Sequence, residues 1–350
     1  MSTSVAISRG RIVAGPLLVA AVLAALAAVL VRTSGTGLEA TYVVFIVVAG
    51  LAMGSLALLM IGHLMNEGWL APVRSEAEAA ALTMPLLFLM GIPLALGLEQ
   101  LFPWADNGID LPSGRTVFLS PAFFLVRSVV YILIASVIAF WLAGTGNPRR
   151  VSGIGLFLLT PVITFAAFDW AFSRDPTWWS SLFGFAFALS QVLAALALTI
   201  LITLLRPEHA APERMRSLER ALLTLSLLAI WTWFGHFLIV WLANLPDEAA
   251  WYLRRADPGN LVLIGIAFAA MILAVLILIP TGVSRRVMIV GSVLVLVQHG
   301  VHMVWLLQPV RRLSWLDLGL ALAAAAIWIV AFAILIRSRP TYAEEMAEEP

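Results

Sequence analysis

Ten separate stretches of about 20 apolar residues, each long enough to cross a lipid bilayer as a helix, run through this 350-residue chain. They fall at residues 12–31, 42–65, 80–98, 120–143, 153–172, 182–205, 220–243, 260–280, 287–307 and 315–336. With no water in the hydrocarbon core, each must satisfy its backbone polar groups internally, which a helix does. Composition agrees: 62% of residues are hydrophobic and only 12% charged, against roughly 25% charged for soluble chains. So little charge cannot cover a water-facing surface of this size. Soluble enzymes, secreted domains and disordered chains are excluded, and the expectation is an all-α integral membrane protein.

The few charges are informative. All 21 cationic residues are Arg, balanced by 20 acids for a net +1, which argues against nucleic acid as a partner. The absence of Lys excludes Schiff-base catalysis. The chain has no Cys, so disulfides, Cys-ligated iron–sulfur clusters, zinc–thiolate sites and covalent c-type haem are excluded. Metal sites are not expected, and redox chemistry would use a noncovalent cofactor, a mobile quinol or a partner's centres. Arg9 and Arg11 precede segment 1, as before a signal peptide, but the apolar stretch is long and lacks a clear cleavage site; it reads as a retained helix. Thirteen Arg fall on the side holding both termini and the loops after segments 2, 4, 6 and 8, while seven fall on the other side and Arg127 lies inside segment 4. The Arg bias makes both termini cytoplasmic.

The chain reads as a single polytopic membrane domain over residues 1–350, with a solvated acidic tail at 340–350. Outer connections at 99–119 and 244–259 are long; inner stretches at 74–82 and 207–220 resemble short interfacial helices. A faint repeat relates Asp169 with Pro176 seven residues on to His302 with Pro309 seven residues on, and Leu101-Phe102-Pro103 to Asn244-Leu245-Pro246. It favours two four-helix bundles, segments 2–5 (42–172) and 6–9 (182–307), flanked by segments 1 and 10.

Ionisable groups inside a bilayer are costly and mark candidate sites. Under this topology Glu99, Arg127, Asp169, His236, His299 and His302 gather in the outer half, and only His63 lies near the inner side. Histidine titrates near neutrality and can exchange protons with a quinol. Asp169, His302, His299, His236 and Glu99 are therefore the proton-handling candidates, with Arg127 and His302 as candidate quinone contacts. Each has a plainer alternative: Glu99 as a loop residue, Asp169 as a helix-end anchor, Arg127 as partner of Asp169 or Glu99, the histidines as hydrogen-bonded packing. Haem held between His236 and His302 is disfavoured, because only one such pair can be assembled. The Met residues and the 13 Trp read as packing and interfacial belt. Ala49-Gly50, Ala52 and Gly54-Ser55 form a small-residue face for close helix contact. Pro85, Pro93, Pro121 and Pro161 read as mid-helix prolines that free backbone carbonyls.

Three stretches carry a family resemblance. Phe168-Asp169-Trp170 through Ser173-Arg174-Asp175-Pro176-Thr177-Trp178 to Phe183-Gly184 resembles a segment of the ActF subunit of alternative complex III, the bacterial quinol:cytochrome c oxidoreductase. Trp241-Leu242-Ala243-Asn244-Leu245-Pro246-Asp247-Glu248 with Trp251-Tyr252 and Arg254-Arg255 is similar to a second ActF segment, and His63 through Trp69 to Leu101-Phe102-Pro103-Trp104 to a third. The position after Asp175-Pro176, often His in that family, is Thr177 here. The wider NrfD/PsrC-like group has a quinol site at the outer face. The resemblance implies ten helices in two bundles and a membrane subunit that supports quinol oxidation, with a role in proton translocation or in structure. It also implies partners: an ActC-like sister, multihaem cytochrome c and iron–sulfur subunits, and a terminal oxidase. Quinone or quinol would be the only cofactor. The alternatives are the quinone-site subunit of a molybdopterin-type reductase, a secondary transporter and a structural scaffold; against a transporter stands the lack of a broken-helix site in the sequence.

Overall fold

The computed structural model describes residues 37–65, 67–106, 109, 111, 113–178, 180–206, 215–280, 282, 284–307 and 315–339. Segment 1, residues 207–214 and the acidic tail lie outside these residues. The chain is an all-α integral membrane protein, with no strand among the described residues. Among the described residues eight helices are long and apolar enough to span a bilayer: α1 (Leu38–Met65), α6 (Pro121–Ala143), α7 (Pro148–Trp170), α8 (Phe183–Leu205), α9 (Arg216–Ala243), α11 (Pro258–Leu278), α12 (Arg285–Leu307) and α13 (Trp315–Arg337). Shorter helices complete the series: α2 (Arg74–Ala81), α3 (Leu86–Leu96), α4 (Leu98–Leu101), α5 (Ser113–Phe118) and α10 (Pro246–Leu253).

Segment 3 differs from the continuous helix expected at 80–98. The Ala71–Ala81 stretch and α3 are bent by 45° at the break between them, the geometry of a broken span or a re-entrant loop. Pro85 lacks an N–H and disfavours helical geometry in the residue before it. The chain turns over 82–85, where the Thr83 hydroxyl donates to the Ala80 carbonyl at 2.6 Å and itself accepts from Trp328 Nε1 at 2.9 Å. Residues 74–81 form the short helix expected there, mostly buried against its neighbours, with Ala77, Ala79 and Ala80 fully enclosed. Residues 216–220 are the first turn of α9. Pro85 and Pro121 stand at helix starts rather than mid-helix, where the missing N–H costs nothing. Pro93 and Pro161 do lie inside helices.

The helices pack in two rings of the same cyclic order: α1, α3, α6, α7 and α8, α9, α11, α12. The rings meet where α1 packs on α8, α7 on α8 and α12 on α1; α13 lies outside, against α1 and α2. The small-residue face of α1 is the point of closest approach. A Cβ at Gly54 would lie 2.3 Å from the backbone oxygen of Gln191, and one at Gly50 would lie 1.7 Å from Oε1 of Gln191. A larger side chain at Gly54 would force α1 and α8 apart, and one at Gly50 would displace the Gln191 side chain.

Polar contacts mark the two ends. At the upper end, where α1 begins, Glu39 pairs with Arg174 at 3.1 Å. At the lower end Glu76 pairs with Arg206 at 2.7 Å, and Glu78 pairs with Arg74 at 3.1 Å and with Arg339 at 2.5 Å. Arg285 Nη2 donates to the Leu204 carbonyl at 2.7 Å. The lower end therefore joins the helix termini that the alternating topology assigns to one side.

Candidate functional site

The expected residues separate into two centres and two outliers. The first centre lies in the α6–α7 pair. Arg127 and Tyr131 are one turn apart on α6, so they share a face, and both reach Asp169 near the end of α7. Arg127 Nε and Nη2 each donate to Asp169 at 2.8 Å, one to each carboxylate oxygen, and the Tyr131 hydroxyl donates to Asp169 Oδ2 at 2.8 Å. The guanidinium also lies over Phe118 and Phe123, 3.8 and 4.3 Å from the ring centroids. Asp169 has 0% exposure and both of its carboxylate oxygens are occupied. Glu99 stands apart, exposed on α4. His63 is buried near the lower end of α1, its Nδ1 2.9 Å from Ser152 Oγ.

The second centre collects the other three candidate histidines at the upper end of the second ring. His236 on α9, and His299 and His302 on α12, are buried. The His236 Nδ1 lies 2.6 Å from the Tyr252 hydroxyl. Burial pushes the Tyr252 phenol above its usual range, with Arg255 opposing, so it is a protonated donor at neutral pH. When it donates, the imidazole proton of His236 sits on Nε2. His302 Nδ1 and His299 Nε2 have no hydrogen-bond partner among the described residues. Trp233 packs against both His302 and His236, with centroids 4.6 and 5.8 Å apart, and Trp305 stacks on His302 at 17°. These indoles pack against the histidines.

A cleft of about 390 Å³ opens beside this centre, between α9, α11 and α12 and under residues 252–256. Its walls are apolar, and Phe234, Phe237, Leu261 and Phe268 are exposed, so it opens sideways, toward where lipid would lie. Its polar groups are Tyr252, Arg255, Gln298 and His302. Arg127, His236, His299, Asp169 and Glu99 do not line it.

The cleft is roofed by contacts between the two rings. α9 stops at Asn244, whose φ of 49° is left-handed, a conformation that Asn tolerates. Pro246 then starts α10. Trp178, beyond α7, stacks on Trp251 at 4.4 Å and 11°, and its Nε1 donates to the Glu248 carbonyl at 3.2 Å. Asp175 accepts from Arg254 at 2.8 Å and from Arg255 at 3.1 Å. Arg255 further donates to the Leu306 and Trp251 carbonyls at 3.1 and 3.0 Å and lies 3.7 Å over the Trp251 ring. Burial lowers the Arg255 pKa to about 10 while Asp175 raises it, so the group is a cation at neutral pH. The segments 168–184 and 241–255, far apart in sequence, thus meet in space. Sequence reasoning did not single out Tyr131, Asp175, Trp233, Tyr252 or Arg255 as site residues. The available signals were the four-residue spacing of Arg127 and Tyr131 and the quoted family-like segments, which contain Asp175, Tyr252 and Arg255.

No group of three or more His, Asp or Glu suited to a metal ion occurs among the described residues. Comparison of the chain with protein-family models and with curated proteins finds no match.

Proposed function

We propose that this chain is a membrane subunit of a respiratory quinol:cytochrome c oxidoreductase of the alternative complex III type, in a bacterial cytoplasmic membrane. The upper end faces outward and both termini face the cytoplasm, as the Arg distribution indicates. The observation that carries the reading is the α9–α11–α12 cleft. It is apolar, open to the side and closed at its upper end by His302, Tyr252 and Arg255, the mix of apolar walls and few polar groups typical of ligand sites. A quinol ring there would place one hydroxyl against His302 Nδ1, which lacks another partner, while the isoprenoid tail leaves past Phe234 and Phe268. Quinol oxidation gives a quinone, two protons and two electrons. The electrons pass to haem or iron–sulfur subunits. His302 takes one proton, with His299 on the same helix face; Tyr252 takes the other as it passes its own proton to His236 Nδ1, 2.6 Å away. In this reading Asp169 and Arg127 hold α6 to α7, and Glu99 lies on the surface.

The test is purification from native membranes in mild detergent, with subunit identification and quinone extraction. Expected are cytochrome c and iron–sulfur partners, an ActC-like sister, and a photoreactive quinone that labels α9, α11 or α12. Recovery of a lone polypeptide would overturn the assembly, and labelling elsewhere would overturn the cleft assignment. A molybdenum-containing partner would select the NrfD/PsrC-type reductase instead.

One observation favours a second reading, a secondary transporter. The bent α2–α3 span supplies the interrupted helix that such proteins use. Its buried Glu76 is paired with Arg206 at the lower end, however, not placed at a midplane site.

A further inference from the structure

A second cavity, of about 360 Å³, lies at the lower end, between the first turns of α9 and the end of α11. Arg216 and Arg220, four apart on α9, line it together with Glu219, Leu223, Leu278 and Ile279. Both Arg are exposed. Glu219 is not: it keeps 5% exposure, and its Oε1 has no hydrogen-bond partner among the described residues. A buried, unpaired carboxylate oxygen is costly, and two guanidiniums beside it do not complete it.

We propose that this cavity binds the headgroup of an aminophospholipid. The pattern of charges is cation, anion, cation, and a phosphoethanolamine group answers it: the phosphate binds Arg216 and Arg220, and the ammonium donates to Glu219 Oε1. Guanidiniums suit phosphate oxygens. The carboxylate discriminates among headgroups. A phosphoglycerol group brings no cation to it, and a choline headgroup brings a cation without an N–H. The acyl chains run along the exposed apolar surface of Leu227, Leu276 and Ile279, which selects a lipid over a free amino phosphate.

The test is native mass spectrometry of the full chain, delipidated in mild detergent and offered equal amounts of phosphatidylethanolamine, phosphatidylcholine and phosphatidylglycerol with identical acyl chains. The ethanolamine lipid should be retained about fivefold over each of the others, the ratio an interfacial ion pair of ordinary strength gives. Glu219→Gln should bring that ratio close to one without loss of total phospholipid, and Arg216→Gln with Arg220→Gln should lower all three adducts. A stepwise fall through the mono- and dimethylated ethanolamine lipids tests the same contact in the unaltered protein, whether or not the variants fold. Soluble phosphoethanolamine should not compete. Equal retention of the three lipids, a preference for phosphatidylglycerol, competition by the soluble headgroup, or an unchanged ratio in E219Q overturns the proposal.

Discussion

The Arg127–Asp169 pair gives the sharpest test of how charge is used in this protein. Asp169→Asn keeps the side chain's size and one acceptor but removes the negative charge. It leaves Arg127, whose side chain is 11% exposed, as an uncompensated cation between α6 and α7. Removing one partner of a buried ion pair costs about 3–5 kcal/mol. The guanidinium keeps its contacts with the Phe118 and Phe123 rings, which are present before and after the change and cancel in the difference. The Tyr131 hydroxyl keeps a weaker, neutral acceptor, a change of at most about 1 kcal/mol. The expected net loss is therefore about 3–6 kcal/mol. Replacing both partners, Arg127→Leu with Asp169→Leu, removes both desolvated charges and should be less damaging than Asp169→Asn alone. Reversible unfolding in mixed detergent and dodecyl sulfate micelles measures both variants, and a double-mutant cycle with the corresponding single Leu variants gives the coupling, expected at about 2–3 kcal/mol. A coupling below about 0.5 kcal/mol, or an Asp169→Asn protein as stable as the parent, would refute the claim that the pair is dry and structural. Quinol turnover per assembled complex should survive in the double variant.

Three further outcomes follow from the geometry. Gly54→Ala drives a methyl into the Gln191 carbonyl and should lower stability by about 1–3 kcal/mol, whereas Gly265→Ala, with nothing within 4 Å of the new methyl, should be neutral or slightly stabilising; thermal unfolding compares them. His302→Phe keeps the stacking on Trp305 but removes the ring nitrogens, and should weaken a quinone analogue about tenfold, a loss of about 1.4 kcal/mol, by fluorescence titration with little change in unfolding temperature. Arg255→Lys keeps a charge but cannot reach Asp175, Leu306 and Trp251 together; hydrogen exchange should rise at 246–257 and at 172–178, and unchanged exchange would show that the fork of hydrogen bonds does not hold the roof.

Legibility followed the physics of each feature. The long apolar segments were plain because crossing a bilayer demands length and composition, which are local properties. Segment 3 misled because its hydropathy continues across Pro85 while its backbone does not. The break depends on a turn that Thr83 and Trp328 complete, and Trp328 lies far away in sequence. The broken span also supplies the helix interruption that the sequence did not show. Candidate polar residues were visible as rare charges in apolar surroundings, and Asp169 or Glu99 was expected to pair with Arg127, as Asp169 does; the other partners were not visible. Asp169 could have faced Glu99's loop or the second ring as readily as α6, and the two segments quoted for their resemblance gave no sign that Trp178 would stack on Trp251.

By itself the sequence determined the solvent, the secondary structure class and an alternation of helix ends that the lower-end ion pairs match. It did so because a bilayer admits few solutions for an apolar backbone. Only the tertiary structure decided which polar groups meet. Helices that are apolar on every side carry no stripe to reveal which face turns inward, so rotation about each axis is set by packing. That packing, through Gly50 and Gly54 in one place and the Trp178–Trp251 stack in another, gave Asp169 to Arg127 and Tyr131, set Tyr252 against His236, and opened beside His302 a cleft that no spacing of residues could have announced.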